Sequence, residues 1–114
     1  MSVSILKQRD YLIASVQSSL TDTEVVELRE SLLTGVAKHR SRGVIVDVAA
    51  LEVIDSFVSR SLSTVARTNQ LRGAKTVVVG IRPEVAVAMT RFGLRLDAVD
   101  TALDLEAGLE LLEG

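Results

Sequence analysis

The fold class follows from one stretch of sequence, VIVDVAALEVIDSFVSRSL at residues 44–62. Its first part, Val44 to Val48, is apolar except for Asp47, which predicts a β-strand covered on both faces. A turn over Ala49 to Ile54 then leads to a helix that we predict from Ser56 to Leu71. The apolar stripe of this helix would consist of Val58, Leu62, Val65 and Ala66. The stretch therefore predicts a buried strand joined by a short acidic turn to an amphipathic helix.

Two strands and a helix are predicted before this stretch. Val3 to Leu6 and Tyr11 to Val16 are apolar runs around the polar turn Lys7 to Asp10, which is the pattern of a β-hairpin. Thr21 and Glu24 have the spacing of a capping box and predict the start of a helix. The apolar residues that follow at intervals of three and four predict its buried face, which is Val25, Leu28, Leu32 and Val36.

Two strands and two helices are predicted after it. Gly73 ends the second helix, and Thr76 to Val79 is the next strand. Pro83 suits the first position of a third helix, which Gly93 terminates and whose predicted inner face is Val85, Met89 and Phe92. A short strand is expected near Asp97 to Val99. The last helix is expected to start at Thr101 or Asp104, and its packing face is predicted to be Leu105, Leu109 and Leu112.

Strands that alternate with helices in this way predict an α/β fold with a mostly parallel sheet, in which the opening hairpin makes one antiparallel pair. About four helices and a single domain over residues 1–114 are expected. Right-handed crossovers place the start of the Ser56 helix at the carboxyl end of the Val44 strand. Ligands and partners of such sheets usually meet that edge.

Composition narrows the possible functions. The net charge is −2, the aromatic residues are one tyrosine and two phenylalanines, and cysteine is absent. These features argue against a nucleic-acid surface, and they exclude disulfides, thiolate metal sites and a cysteine nucleophile. The start MSVSILKQRD does not have the pattern of a signal peptide, and no apolar run is long enough to span a membrane. We therefore expect a cytoplasmic protein without a cofactor or metal.

The polar residues at the predicted edge allow more than one interpretation. Asp55 and Ser56 are both common helix caps. A hydroxyl in the first turn of a helix could equally accept a phosphate, because the free amides and the dipole there favour negative charge. Asp47 and Asp55 form only a weak candidate for a carboxylate pair. His39 is interpreted as a solvated or capping residue at a basic helix end.

Two segments resemble the STAS domain, or anti-sigma-factor antagonist, family. They are IVDVAALEVIDSFVSRSL at residues 45–62, with Asp-Ser at a helix start, and GAKTVVVGIRPEVAVAMTRFGL at residues 73–94, with Gly, a polar residue and Pro after a strand. Most antagonists in this family continue Asp-Ser with Ser-Gly, whereas Phe57 and Val58 stand here. In that difference, and in TALDLEAGLELL at residues 101–112, the chain resembles the RsbS-type branch of the family. This branch comprises the small antagonist subunits of stressosomes.

The resemblance implies a regulator rather than an enzyme, with Ser56 as its phosphorylation site. The implied partners are an RsbT-like serine kinase, RsbR-like co-antagonists in a large homo- or hetero-oligomer, and a phosphatase that resets the serine. Residues expected to contact a partner surround Ser56 and are Glu52, Asp55, Phe57, Ser59 and Arg60. Phe57 could instead belong to the core, and Ser59 or Ser61 could be alternative phosphate acceptors.

Two other functions are left open by the sequence. One is a STAS scaffold subunit that assembles through the same edge and is never modified. The other is a receiver-like domain in which Asp47 is the phosphorylated carboxylate. The latter is weaker, because the opening hairpin lacks the additional acidic residues that such domains use to bind magnesium.

Overall fold

The structure is a computed structural model that describes residues 3–113. Five strands and four helices follow one another in the order that the sequence predicts. The strands are β1 (Val3–Gln8), β2 (Tyr11–Val16), β3 (Gly43–Asp47), β4 (Lys75–Val79) and β5 (Asp100–Ala102). The helices are α1 (Asp22–His39), α2 (Ser56–Gln70), α3 (Pro83–Arg91) and α4 (Leu105–Glu113). No helix within residues 3–113 is long and apolar enough to cross a membrane.

The five strands form one sheet in the order β1-β2-β3-β4-β5. β1 and β2 are antiparallel, and their tight turn has Arg9 in the left-handed region at φ 54°. The other neighbours are parallel, with Ile13 opposite Ile45 and Ile45 opposite Val77. The predicted mixed, mostly parallel sheet opened by a hairpin is therefore confirmed, and β3 is its central strand.

The two faces of the sheet are covered unequally. Helices α1, α2 and α3 pack on one face, and the large core there includes Leu32 of α1, Val65 of α2 and Val85 of α3. Of the helices within residues 3–113, α4 alone covers the other face, above a smaller cluster of Ile13, Ile45, Val77 and Val79. Burial of these aliphatic side chains is the main force that holds both layers on the sheet.

Close approach of α4 to the sheet depends on small residues. A Cβ atom on Gly108 would lie 2.8 Å from Cγ1 of Val79, and one on Gly43 would lie 2.7 Å from Cδ2 of Leu112. Leu109 and Leu112 pack on the smaller cluster as the sequence predicts. Leu105, predicted on the same packing face, is 38% exposed at the start of the helix and is not among the residues of that cluster.

Several predicted helix ends are confirmed. Thr21 and Glu24 form a reciprocal capping box, and Pro83 occupies the first turn of α3. Gly73 and Gly93 follow α2 and α3 with φ of +80° and +66°, a conformation that favours glycine. The predicted buried face of α1 is also correct, because Val25, Leu28, Leu32 and Val36 are all buried.

The predictions near the carboxyl terminus need two corrections, and of the two starts predicted for the last helix the one at Asp104 is confirmed. The strand expected at residues 97–99 lies at Asp100–Ala102, because Ala98 is left-handed at φ 64° and turns the chain before the strand can begin. Thr101 is part of that strand, so α4 starts after Asp104, whose Oδ1 accepts from the Ala107 amide at 2.9 Å. Phe92 follows α3 as its C-cap and is 78% exposed, so it does not join the buried Val85 face.

Candidate functional site

The candidate site begins where β3 ends. Asp47 closes the turn there, because its Oδ1 accepts from the Ala49 amide at 2.9 Å. The following loop is anchored by Leu51 and Ile54, which are buried in the core of the α1–α3 face. Between these two anchors Glu52 and Val53 point outward and are exposed. The loop is therefore fixed at its base and presents its tip to solvent.

A second contact fixes the same loop from the start of α3. Nε of Arg82 donates a hydrogen bond to the Ala49 carbonyl at 2.8 Å. Gly80 allows the two loops to approach, since its φ is +80° and a Cβ there would lie 3.0 Å from Cβ of Ala49. The segment that resembles the second family signature therefore supports the segment that carries Ser56.

Helix α2 starts at Ser56 with Asp55 as its N-cap. Oδ1 of Asp55 accepts from the Val58 amide at 2.9 Å. The first amides of a helix have no intrahelical acceptor, so those of Ser56 and Phe57 remain available to an external group. The first turn of α2 contains no acidic residue, and Ser56 is exposed. The predicted helix start is confirmed, with an accessible hydroxyl on its first residue.

An open cleft of about 360 Å³ lies beside this hydroxyl, and we call it the Ser56 cleft. Ser56, Asp55 and the loop residues from Glu52 form one wall, and Val85, Ala88, Phe92 and Leu94 form the other. The exposed Phe92 ring gives the cleft an aromatic rim. Sequence reasoning missed this role, because the spacing of Phe92 from Val85 and Met89 is also typical of a core position.

The residues expected to contact a partner divide into two groups. Glu52, Asp55 and Arg60 are exposed around Ser56, and Phe57 is partly buried. Ser59 is only 3% exposed and packs inside the domain. The expectation that Ser59 contacts a partner is therefore corrected.

Ser59 and Ser61 also cannot serve as alternative phosphate acceptors in this fold. Their hydroxyl oxygens are buried, and neither has a hydrogen-bond partner among the described residues. A kinase could reach them only if α2 left the sheet. Serine is small enough to pack under a helix, and this is why its polarity alone gave the wrong location.

The carboxylates near the edge of the sheet have separate structural roles. Asp47 accepts from the Ala49 amide and Asp55 from the Val58 amide. Within residues 3–113, no group of three or more His, Cys, Asp or Glu side chains is arranged to hold a metal ion. His39, the last residue of α1, is exposed as the sequence predicts.

Comparison with known proteins identifies the family of this domain. The family model for the STAS domain matches residues 2–107. A serine-to-glutamate variant of RsbS from Moorella thermoacetica has a TM-score of 0.84 and 37% identity, covering 99% of this chain and 96% of that chain. A chain in a solved structure of the stressosome, which is described as a signal integration and transduction hub, has a TM-score of 0.74 and 37% identity. The match covers 96% of each chain.

A longer relative shares only part of its length with this chain. The RsbT co-antagonist protein RsbRA of Bacillus subtilis (strain 168) is 37% identical over 90 residues, which are 78% of this chain and 33% of RsbRA. The chain therefore spans about a third of RsbRA. From the match over residues 2–107, we conclude that the chain belongs to the STAS domain family.

Proposed function

We propose that this chain is an RsbS-type antagonist that is switched by phosphorylation of Ser56. The observation that carries the proposal is the exposed Ser56 hydroxyl on the first residue of α2, beside the Ser56 cleft. Similarity to RsbS over nearly the full length of both chains supports the assignment to that branch. In this proposal the chain is a regulator without catalytic activity of its own.

A phosphate on Ser56 is compatible with the native fold. It would add about −1.5 to −2 charges at the positive end of α2. The available amides and the dipole there would stabilise it by up to about 2 kcal/mol. Asp55 would repel it, but both groups are at the surface, where solvent and salt screen the interaction. Modification should therefore leave the domain folded.

The same charge would act strongly on a bound partner. An acidic group about 4 Å from each added charge would be repelled by about 4 kcal/mol at an effective dielectric constant of 20. Since about 1.4 kcal/mol changes affinity tenfold, this repulsion is enough to release the partner. The switch would therefore act on the interface and not on the core.

The proposed partners follow from the branch of the family. The unmodified chain would hold an RsbT-like serine kinase in a cytoplasmic stressosome together with RsbR-like co-antagonists. Phosphorylation of Ser56 by that kinase would release it to activate the general stress sigma-factor pathway, and a dedicated phosphatase would reset the site. The exposed residues Glu52, Asp55 and Arg60, with the partly buried Phe57, would contribute to the kinase interface.

The direct test is phosphorylation by a cognate switch kinase with ATP, followed by intact-mass and peptide mass spectrometry. We expect one added phosphate on Ser56 and none on the Ser56→Ala variant. Ser18→Ala is the matched control, because Ser18 is exposed outside the helices and should not affect labelling. Equal labelling of Ser56→Ala and the parent would refute the site. An unmodified mass under every condition would favour an unswitched scaffold subunit instead.

A further inference from the structure

A second cleft, of about 250 Å³, lies at the opposite edge of the sheet from Ser56, where β3 and β4 begin. Three arginines, Arg40, Arg42 and Arg72, line it together with Ser41 and the apolar wall of Val36 and Ala37. We call it the arginine cleft. No acidic residue lines it, although the chain as a whole has a net charge of −2. The positive charge is therefore local to this cleft.

The three guanidinium groups have weak partners or none. Arg42 lies 3.8 Å from Asp10, and both side chains are mostly exposed, so solvent screens this pair. Nη1 of Arg72 donates to the Leu33 carbonyl at a long 3.4 Å. Within residues 3–113, the Arg40 side chain has no hydrogen bond or ion pair. Most of the donor capacity of the cleft therefore remains unused.

The backbone conformation of Arg40 is a second unusual feature of the arginine cleft. Arg40 is the C-cap of α1 in the left-handed conformation, with φ 51° and ψ 45°. Glycine or asparagine usually occupies such a position, because a Cβ atom is unfavourable there. The chain nevertheless has an arginine, and its side chain lines the cleft. A role for the guanidinium group would explain that choice.

Ser41 supplies an independent observation. It is 5% exposed, and its Oγ is buried without a hydrogen-bond partner among the described residues. Buried hydroxyls normally have a partner. Ser59 and Ser61 also have none, but Ser41 differs from them because it lines the cleft together with the three arginines, where a bound oxyanion would supply the acceptor. Arginine forks and a hydroxyl donor are the groups that proteins use to bind the oxygens of phosphate.

We propose that the arginine cleft binds a phosphate-class oxyanion through Arg40, Arg42, Arg72 and the Ser41 hydroxyl. This proposal does not depend on phosphorylation of Ser56. Lys38 already supplies a cation in the last turn of α1, so complementing the helix dipole does not by itself require Arg40. The anion could be free phosphate or a phosphoryl group on a protein side chain, since both present the same oxygens.

The test is a titration of the full chain with inorganic phosphate, in which amide NMR shifts are monitored at constant ionic strength. A parallel titration with chloride is the control. We expect saturable shifts confined to residues around Ser41 and Gly73. The double variant Arg40→Gln, Arg72→Gln should bind about 100-fold more weakly, since each of the two lost charged hydrogen bonds contributes about tenfold. Arg91→Gln, Arg95→Gln is the matched control, because it removes the same charge from exposed arginines elsewhere.

Two further measurements distinguish free phosphate from a phosphoryl group on protein and test the role of Ser41. A phosphoserine peptide that binds more tightly than inorganic phosphate would indicate a phosphoryl group on protein; equal or weaker binding would indicate free phosphate. Ser41→Ala should weaken phosphate binding without lowering the melting temperature. Non-saturating shifts spread over all basic residues would overturn the proposal, as would equal losses in the test and control double variants.

Discussion

Helices α1 and α2 start in different ways, although both have a side-chain cap. At α1, Thr21 Oγ1 accepts from the Glu24 amide at 3.2 Å and Glu24 Oε1 accepts from the Thr21 amide at 3.0 Å. Its first turn also contains the acids Asp22 and Glu24. At α2, among the residues that the structure describes, the side-chain cap contact is Asp55 to the Val58 amide alone, and the first turn contains no acid.

The difference indicates which helix start can accept an added charge. The chain's own carboxylates already complement the positive end of α1, so a further anion there would gain little. The positive end of α2 is complemented only by its cap, and the first residue after that cap is the exposed hydroxyl of Ser56. An added anion is therefore expected to be better complemented at the start of α2 than at the start of α1.

The largest expected effect is on kinase binding. Ser56→Asp should weaken binding of an RsbT-like kinase by about 100- to 1000-fold, because the new carboxylate would repel an acidic group at the interface. Thr23→Asp is the matched control, because it adds the same charge to the first turn of α1, and it should bind like the parent. Binding is measured by calorimetry. Similar losses in both variants would remove the distinction between the two helix starts.

An intermediate effect is expected on stability. Asp55→Ala should lower the free energy of unfolding by about 1 kcal/mol, because the Val58 amide loses its acceptor. Asp55→Asn keeps an acceptor and should stay within a few tenths of a kcal/mol of the parent. Thr21→Ala should cost about as much as Asp55→Ala. Urea denaturation measures all three, and an unchanged Asp55→Ala midpoint would show that the cap is dispensable.

The smallest expected effect tests the dipole alone. Ser56→Glu should raise the free energy of unfolding by about 0.3–1 kcal/mol at low salt, since it adds an acid to a first turn that has none. Thr23→Glu should stabilise less, because α1 already has two acids in its first turn. Melting curves at low and high salt provide the measurement. A larger gain at α1 than at α2 would contradict the comparison.

Local sequence patterns were sufficient to predict the architecture and the position of Ser56. The element order depends on apolar periodicity, which the strands and amphipathic helices express strongly. The start of α2 could be predicted because Asp55 acts within its own turn, on an amide three residues away. Such short-range signals can be read without knowledge of the tertiary fold.

Contacts between distant residues account for part of the wrong predictions, and local chain turns account for the rest. The position of β5 follows from pairing with β4 and from the Asp97 amide, which donates to Ser63 Oγ at 3.0 Å across the domain. Phe92 has helical spacing from Met89, but the chain leaves α3 at that residue. Ser59 has a polar side chain that is small enough to be buried against the sheet. The burial of Ser59 and the pairing of β5 are not encoded within a window of a few residues, whereas the position of Phe92 follows from the helix end beside Gly93.

The hydrogen bond from Arg82 to the Ala49 carbonyl has a consequence for folding order. It joins residues 33 positions apart, so the loop after β3 and the start of α3 must be brought together before it can form. Non-local pairings of this kind form late, because a long loop must close before they gain any contact energy. A nascent chain that ends before Arg82 would contain Ser56 but not the support beneath it. If a kinase recognises Ser56 as proposed, we expect it to require the completed domain and not the local peptide.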